Sequence, residues 1–180
     1  MKRLIWLVLA LGFACCAKNS APSSQLNSQR TVAELTSLAQ QKAKLAAQAK
    51  RSNMKTLAEE GVAASNECLA HAPEEAACYY WRAVNTGLYY QAHIIGYQTG
   101  VKQMIADAHK AITLDAHYQH AGAYRLLGEL YSQLPETSSR TDNIVRDLDK
   151  AETYFQKAFA LAPQYAENAK NLAKIQQQKE

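Results

Sequence analysis

Residues 124–131 read YRLLGELY and residues 151–163 read AETYFQKAFALAP. In the first, a bulky residue, a leucine, a glycine and a tyrosine follow one another at spacings of three, one and three. In the second, Ala151, Phe155 and Ala158 stand four and three apart, and Pro163 closes the run five residues later. Each set falls on one face of an α-helix. Small residues there let two helices approach closely, and the aromatic fills the gap above them. The proline stops the second helix because it lacks an N–H and clashes with the preceding turn. The two stretches predict the two helices of one antiparallel hairpin.

Working outward, three segments end alike: CLAHAP at 68–73, AITLDA at 111–116 and AFALAP at 158–163, with Ala116 in the proline's place. This is the pattern of a tetratricopeptide repeat, whose ordinary period is about 34 residues. Here the ends lie 43 and 47 residues apart, so each unit carries an insertion, at 93–100 and at 135–143. Laying the first unit on the second at the 43-residue spacing puts Leu69 on Ile112, Ala77 on His120, Trp81 on Tyr124, Arg82 on Arg125, Val84 on Leu127 and Leu88 on Tyr131. After Pro163, Leu172 and Ala173 open a helix that turns polar in KIQQQKE, as suits a solvent-facing cap. The predicted fold is all-α, a tetratricopeptide-like solenoid of helical hairpins with about seven helices. These are expected at 31–50, 53–71, 75–92, 98–114, 121–134, 141–161 and from 165 to the C-terminus.

The start, MKRLIWLVLALGFACCAKNS, is basic, then apolar from Leu4 to Phe13, then small. That run is too short for the roughly 20 residues of a spanning helix and reads as an export signal over 1–16. Cys15 or Cys16 is a candidate for lipidation, with ordinary cleavage near Ala17 as the alternative. Residues 17–30, polar and without period, read as a flexible tether, leaving 31–180 as the helical domain. The expected location is the periplasmic face of a bacterial membrane, lipid-anchored or else soluble in the periplasm. Without Lys2 and Arg3, 18 Lys and Arg face 16 Asp and Glu, so the chain is nearly neutral. No basic stripe or aromatic-basic motif points to nucleic acid.

Cys68 and Cys78 each lie five residues from Pro73, at similar heights on facing helices. In an oxidising compartment they are expected to form a disulfide, two buried thiols being the alternative.

At YYWRAVNTGLYYQ, GAYRLLGELYSQLP and AETYFQKAFALAPQY the chain resembles the T-component family associated with tripartite ATP-independent periplasmic (TRAP) transporters, over about 63–172. The resemblance implies a helical, tetratricopeptide-like periplasmic lipoprotein. It also implies an accessory role beside a transporter's soluble substrate-binding protein, with contact to a hydrophobic or carboxylate ligand.

The 43-residue register places Arg82 and Arg125 at the same helical phase, one residue past an aromatic. Trp81 and Tyr124 would then enter the core and both guanidiniums one concave groove, where each can bond a carboxylate with two parallel donors. Tyr79, Thr86 and Tyr89 share the face of Arg82, and Glu129 stands one turn beyond Arg125 as a local ion-pair partner. The alternative is that each arginine lies along an aromatic in a structural bond. Asn85, in a place normally held by a small residue, is expected to make structural hydrogen bonds.

No catalytic or metal-ligating constellation stands out. His117 and His120 are three apart but lack a further ligand, and neither a nucleophile elbow nor a phosphate loop is present. No cofactor is expected. Two readings remain: an envelope-anchored adaptor that binds a protein partner, such as a substrate-binding protein, and a carrier of a small apolar carboxylate in an Arg- and Tyr-lined cleft. Self-association into a homo-oligomer stays open.

Overall fold

A computed structural model describes residues 30–138 and 140–180. The export signal, the lipidation candidates Cys15 and Cys16, and all but the last residue of the tether lie outside the described residues. The described chain is all-helical, with seven helices: α1 (Val32–Gln48), α2 (Arg51–His71), α3 (Ala76–Ala92), α4 (Tyr97–Leu114), α5 (Tyr118–Gln133), α6 (Leu148–Leu161) and α7 (Ala166–Lys179). Consecutive helices pack as hairpins, α1 with α2, α3 with α4 and α5 with α6, and α7 covers the last. Contacts between α1 and α3, α3 and α5, and α5 and α7 make these four an inner row, with α2, α4 and α6 outside it.

Local chemistry sets the ends. Thr31 and Glu34 form a reciprocal capping box: the Thr31 hydroxyl accepts the Glu34 N–H and the Glu34 carboxylate accepts the Thr31 N–H. The Thr31 N–H and the Thr31 hydroxyl both donate to that carboxylate and hold the Glu34 carboxyl below its ordinary pKa. α6 begins at Leu148, not at 141 as the sequence suggested. Asp147 caps it by accepting the Lys150 N–H at 2.9 Å. Ahead of that cap, the Gln98 side chain pins the Ile144 backbone N–H and C=O in an extended loop.

The core is built on small residues. Ala39, Ala43, Ala64 and Ala77 surround Trp81, whose indole N–H donates to the Tyr118 hydroxyl at 2.9 Å. A Cβ on Gly128 would lie 2.7 Å from the Phe155 ring, and one on Gly87 would lie 2.8 Å from the Met104 methyl. These two glycines mark the close approach of α5 to α6 and of α3 to α4. They also correct the register of the repeats. Gly87 and Tyr90 match Gly128 and Tyr131 at an offset of 41 residues, not 43.

The Cys68–Cys78 disulfide is present, with its Cα atoms 5.7 Å apart, tying the last turn of α2 to the first of α3 against Leu35. Closing so short a loop contributes somewhat under ~3 kcal/mol by chain-entropy arithmetic. Such a bond persists where thiols stay oxidised. Among the described residues, no helix is long and apolar enough to cross a membrane.

Asn85 is fully buried between α1, α2 and α3, where its amide N–H groups donate to Ala39 O (3.1 Å) and Trp81 O (2.8 Å). Its Oδ1 lies over Gly61, where an added Cβ would come within 2.1 Å. Glycine to alanine inside a helix ordinarily stabilises by about 1 kcal/mol. Here the fixed amide turns the sign, since overpacking costs about 1–3 kcal/mol. Gly61→Ala is expected to lower stability by roughly 1–2 kcal/mol in urea denaturation. Combined with Asn85→Ala it should lose less than the sum of the two single losses. A Gly61→Ala protein more stable than the parent would show that Asn85 can move aside.

Candidate functional site

The inner row encloses a groove of about 720 Å³. Ala43, Lys44 and Ala47 of α1 line it, with Tyr80, Trp81, Val84 and Leu88 of α3 and Arg125, Leu126, Glu129 and Leu130 of α5. Val101 and Met104 of α4 line it as well, as does Ile94 on the loop between α3 and α4. The walls are thus mainly apolar. The charged and amide side chains are Lys44, Gln91, Arg125, Glu129 and Gln133, joined by the tyrosines Tyr80, Tyr90 and Tyr97.

The two arginines do not share this groove. Structurally, Val84 and Leu88 hold the places on α3 that Arg125 and Glu129 hold on α5, again 41 residues apart. A two-residue error in register turns a helical side chain by ~200°, to the opposite face. Arg82 therefore points outward from α3. Its Nε and Nη2 bond both oxygens of Asp107 on α4, at 2.8 and 2.6 Å, and its Nη1 donates to Asn66 on α2 at 3.0 Å. Asp107 is only 2 % exposed and also accepts from Gln103. Bonding to Asp107, opposed by burial, raises the already high pKa of Arg82.

Tyr79, Thr86 and Tyr89 go with Arg82. The Tyr79 ring lies beneath the guanidinium, 5.6 Å from its centre, and its hydroxyl donates to Pro73 O at 2.9 Å. Thr86 and Tyr89 line a smaller outer cleft of about 410 Å³, with Glu59, Asn66, Thr99 and Gln103. The predicted binding set thus divides: Arg125 and Glu129 lie in the inner groove, and the other four on the outer side of α3.

Arg125 lines the groove but spends three of its five N–H donors on neighbouring backbone and on Asn168. Just before it, Gln119, His120 and Ala121 take left-handed backbone angles, with φ of 51°, 57° and 61°. Arg125 Nη1 donates to His120 O and to Asn168 Oδ1, and Nη2 donates to Gln119 O at 2.8 Å. Its guanidinium lies 4.6 Å from the centre of the Tyr165 ring, which also stacks on His120. Asn168 in turn donates to Ala158 O and Ala162 O, both at 2.9 Å, satisfying carbonyls at the end of α6. Both arginines therefore lie along aromatics in structural bonds.

Trp81 is buried, as expected, but Tyr124 is only half-buried while Arg125 beside it is buried. Glu129 is exposed to the groove. The protein walls around its carboxyl raise its pKa, against the lowering pull of Arg125. Desolvation likewise raises the Tyr80 hydroxyl to about 12, so the phenol stays neutral. The groove residues that the 43-residue alignment missed are Val84, Leu88, Leu126 and Leu130. The repeated glycine-x-x-tyrosine of Gly87–Tyr90 and Gly128–Tyr131 is the signal that places them.

No family model matches the chain, and no curated protein matches it.

Proposed function

We propose that the protein is a helical-repeat adaptor of the cell envelope whose inner groove takes an amphipathic segment of a protein partner. One observation carries this reading: an apolar groove of about 720 Å³ runs across α1, α3 and α5, and its one arginine is already engaged. Apolar side chains of a docked segment fill such a trough, and a few polar groups at the walls fix its direction. Glu129 is the groove's carboxylate, so the partner segment carries a lysine or arginine facing it. Attachment through a lipidated Cys15 or Cys16 would hold the groove near a membrane. The T-component resemblance makes a TRAP-type substrate-binding protein the most specific partner.

The volume would also suit a small apolar carboxylate. That reading loses much of its support, because three of the five Arg125 N–H donors are taken by Gln119 O, His120 O and Asn168 Oδ1, and Glu129 repels an acid from the same space.

A photo-reactive benzoylphenylalanine at Leu88 is expected to give a discrete protein adduct in intact cells, whereas the same group at Phe159 on α6 gives none. Glu129→Lys should weaken that adduct about tenfold or more by reversing the charge that faces the partner. A single small apolar acid in native mass spectra of the purified protein, with no adduct at Leu88, would overturn the adaptor reading.

A further inference from the structure

The two turn edges of the solenoid differ in chemistry. One edge carries the turns inside the hairpins: 49–50 between α1 and α2, 93–96 between α3 and α4, and 134–147 between α5 and α6. Side chains join these turns into one strip. Arg51 Nε donates to Ala92 O at 2.9 Å, linking the first two, and Gln98 holds the Ile144 backbone at 2.9 Å, linking the second and third.

On this strip Ile94 and Ile95 stand 65 % and 76 % exposed, and Leu45, in the last turn of α1, is exposed as well. Three of the four exposed large apolar residues thus lie toward this edge; the fourth, Phe159, is much less open than the isoleucines. Lys44, Lys50 and Arg51 are exposed near the same corner, and none has an ion-pair partner among the described residues. Farther along, Arg140 and Arg146 are paired with Asp142 and Glu136. The opposite edge, where each hairpin passes to the next, carries Glu74, Glu75 and Asp115, with Lys110 paired to Glu74.

Two neighbouring isoleucines at the tip of a turn, beside unpaired cations, make a projection rather than a trough. A docked peptide segment needs concavity, which the inner groove supplies and this tip does not. Apolar tips with adjacent cations match the boundary between headgroups and acyl chains of an anionic bilayer, where lysine and arginine meet lipid phosphates and isoleucine leaves water. We propose that this edge rests on an anionic membrane surface, with Ile94 and Ile95 inserted at the interface. The groove would then open beside the membrane, since Ile94 both stands on this turn and lines the groove.

The test uses the full chain bound to vesicles, by whichever segment holds it there. Ile95→Trp supplies a reporter, read against the unaltered protein, which has Trp6 and Trp81 as background. On vesicles of phosphatidylcholine with phosphatidylglycerol carrying brominated acyl chains, the Ile95→Trp emission is expected to shift to the blue and to be quenched. A tryptophan introduced as Phe159→Trp should show neither change. The double reversal Lys44→Glu and Lys50→Glu, which leaves the isoleucines and their turn intact, should weaken this contact at least about tenfold, with unchanged circular dichroism. An Ile95→Trp reporter unquenched in vesicle-bound protein would overturn the proposal and leave this edge to a protein partner. Equal quenching on pure phosphatidylcholine would overturn the anionic requirement.

Discussion

Arg82→Ala is expected to lower stability by about 3 kcal/mol, a fall of roughly 6–12 °C in melting temperature for a domain of this size. An arginine facing an open groove would cost less than about 0.5 kcal/mol to truncate. Arg82 is different because its guanidinium holds both oxygens of Asp107, which is buried between the helices. Without it the carboxylate keeps only Gln103, and a buried charge without its counter-charge costs about 3–5 kcal/mol. The low end applies here, since the Arg82 side chain is partly open to water. Replacing both partners by apolar residues of similar size, as in Arg82→Met with Asp107→Leu, should recover most of the loss. Arg30→Ala, which breaks an exposed pair with Glu67, serves as the control and should cost under about 1 kcal/mol. If Arg82→Ala melted within that same margin, Asp107 would have to be hydrated in solution.

Arg125→Met should cost a comparable amount, about 3 kcal/mol, for another reason. Three consecutive non-glycine residues in left-handed geometry are each unfavourable by roughly 1–2 kcal/mol. The turn persists because Arg125 bonds the carbonyls of Gln119 and His120, and hydrogen bonds to a charged group contribute about 1.5–3 kcal/mol each. It also bonds Asn168 and stacks on Tyr165, so its loss should loosen the seam between α5 and α7. Arg125→Lys should rescue little, because an ammonium lacks the planar fork that reaches both carbonyls. Gln119→Gly should move the opposite way and stabilise by about 0.5–1 kcal/mol, since glycine takes positive φ without penalty. Opposite signs from two positions six residues apart, read in urea denaturation, would identify the clamp. Equal losses at both would place the cost in side-chain packing instead.

Legibility in the sequence followed the range of the interactions. The hairpins could be read because helix ends, small-residue seams and prolines act within a few positions of one another, as in AFALAP and CLAHAP. The disulfide was legible too, because two cysteines placed symmetrically about Pro73 need only helix rise to fix their heights. The groove was legible only in outline. Arg82 and Arg125 invited a shared phase, but the repeats align on Gly87 and Gly128, which pack under Met104 and Phe155. Aromatics mark a helix face loosely, since a half-buried Tyr124 and a buried Trp81 satisfy the same pattern. Glycines at a close approach tolerate no shift.

The sequence by itself determined the all-helical class, the order of hairpins, the terminal cap and the matching heights of the two cysteines, because each follows from local periodicity and chain geometry. The tertiary structure alone decided what the charged groups do. Asp107 lies 25 residues from Arg82 and Asn168 lies 43 from Arg125. No helical period links residues so far apart. Only the packing of α3 on α4 and of α5 on α7 brings them together, in a low-dielectric interior where an unpaired charge is too costly to leave. The same packing turned Val84 and Leu88 into the groove in place of Arg82, and so made its walls apolar.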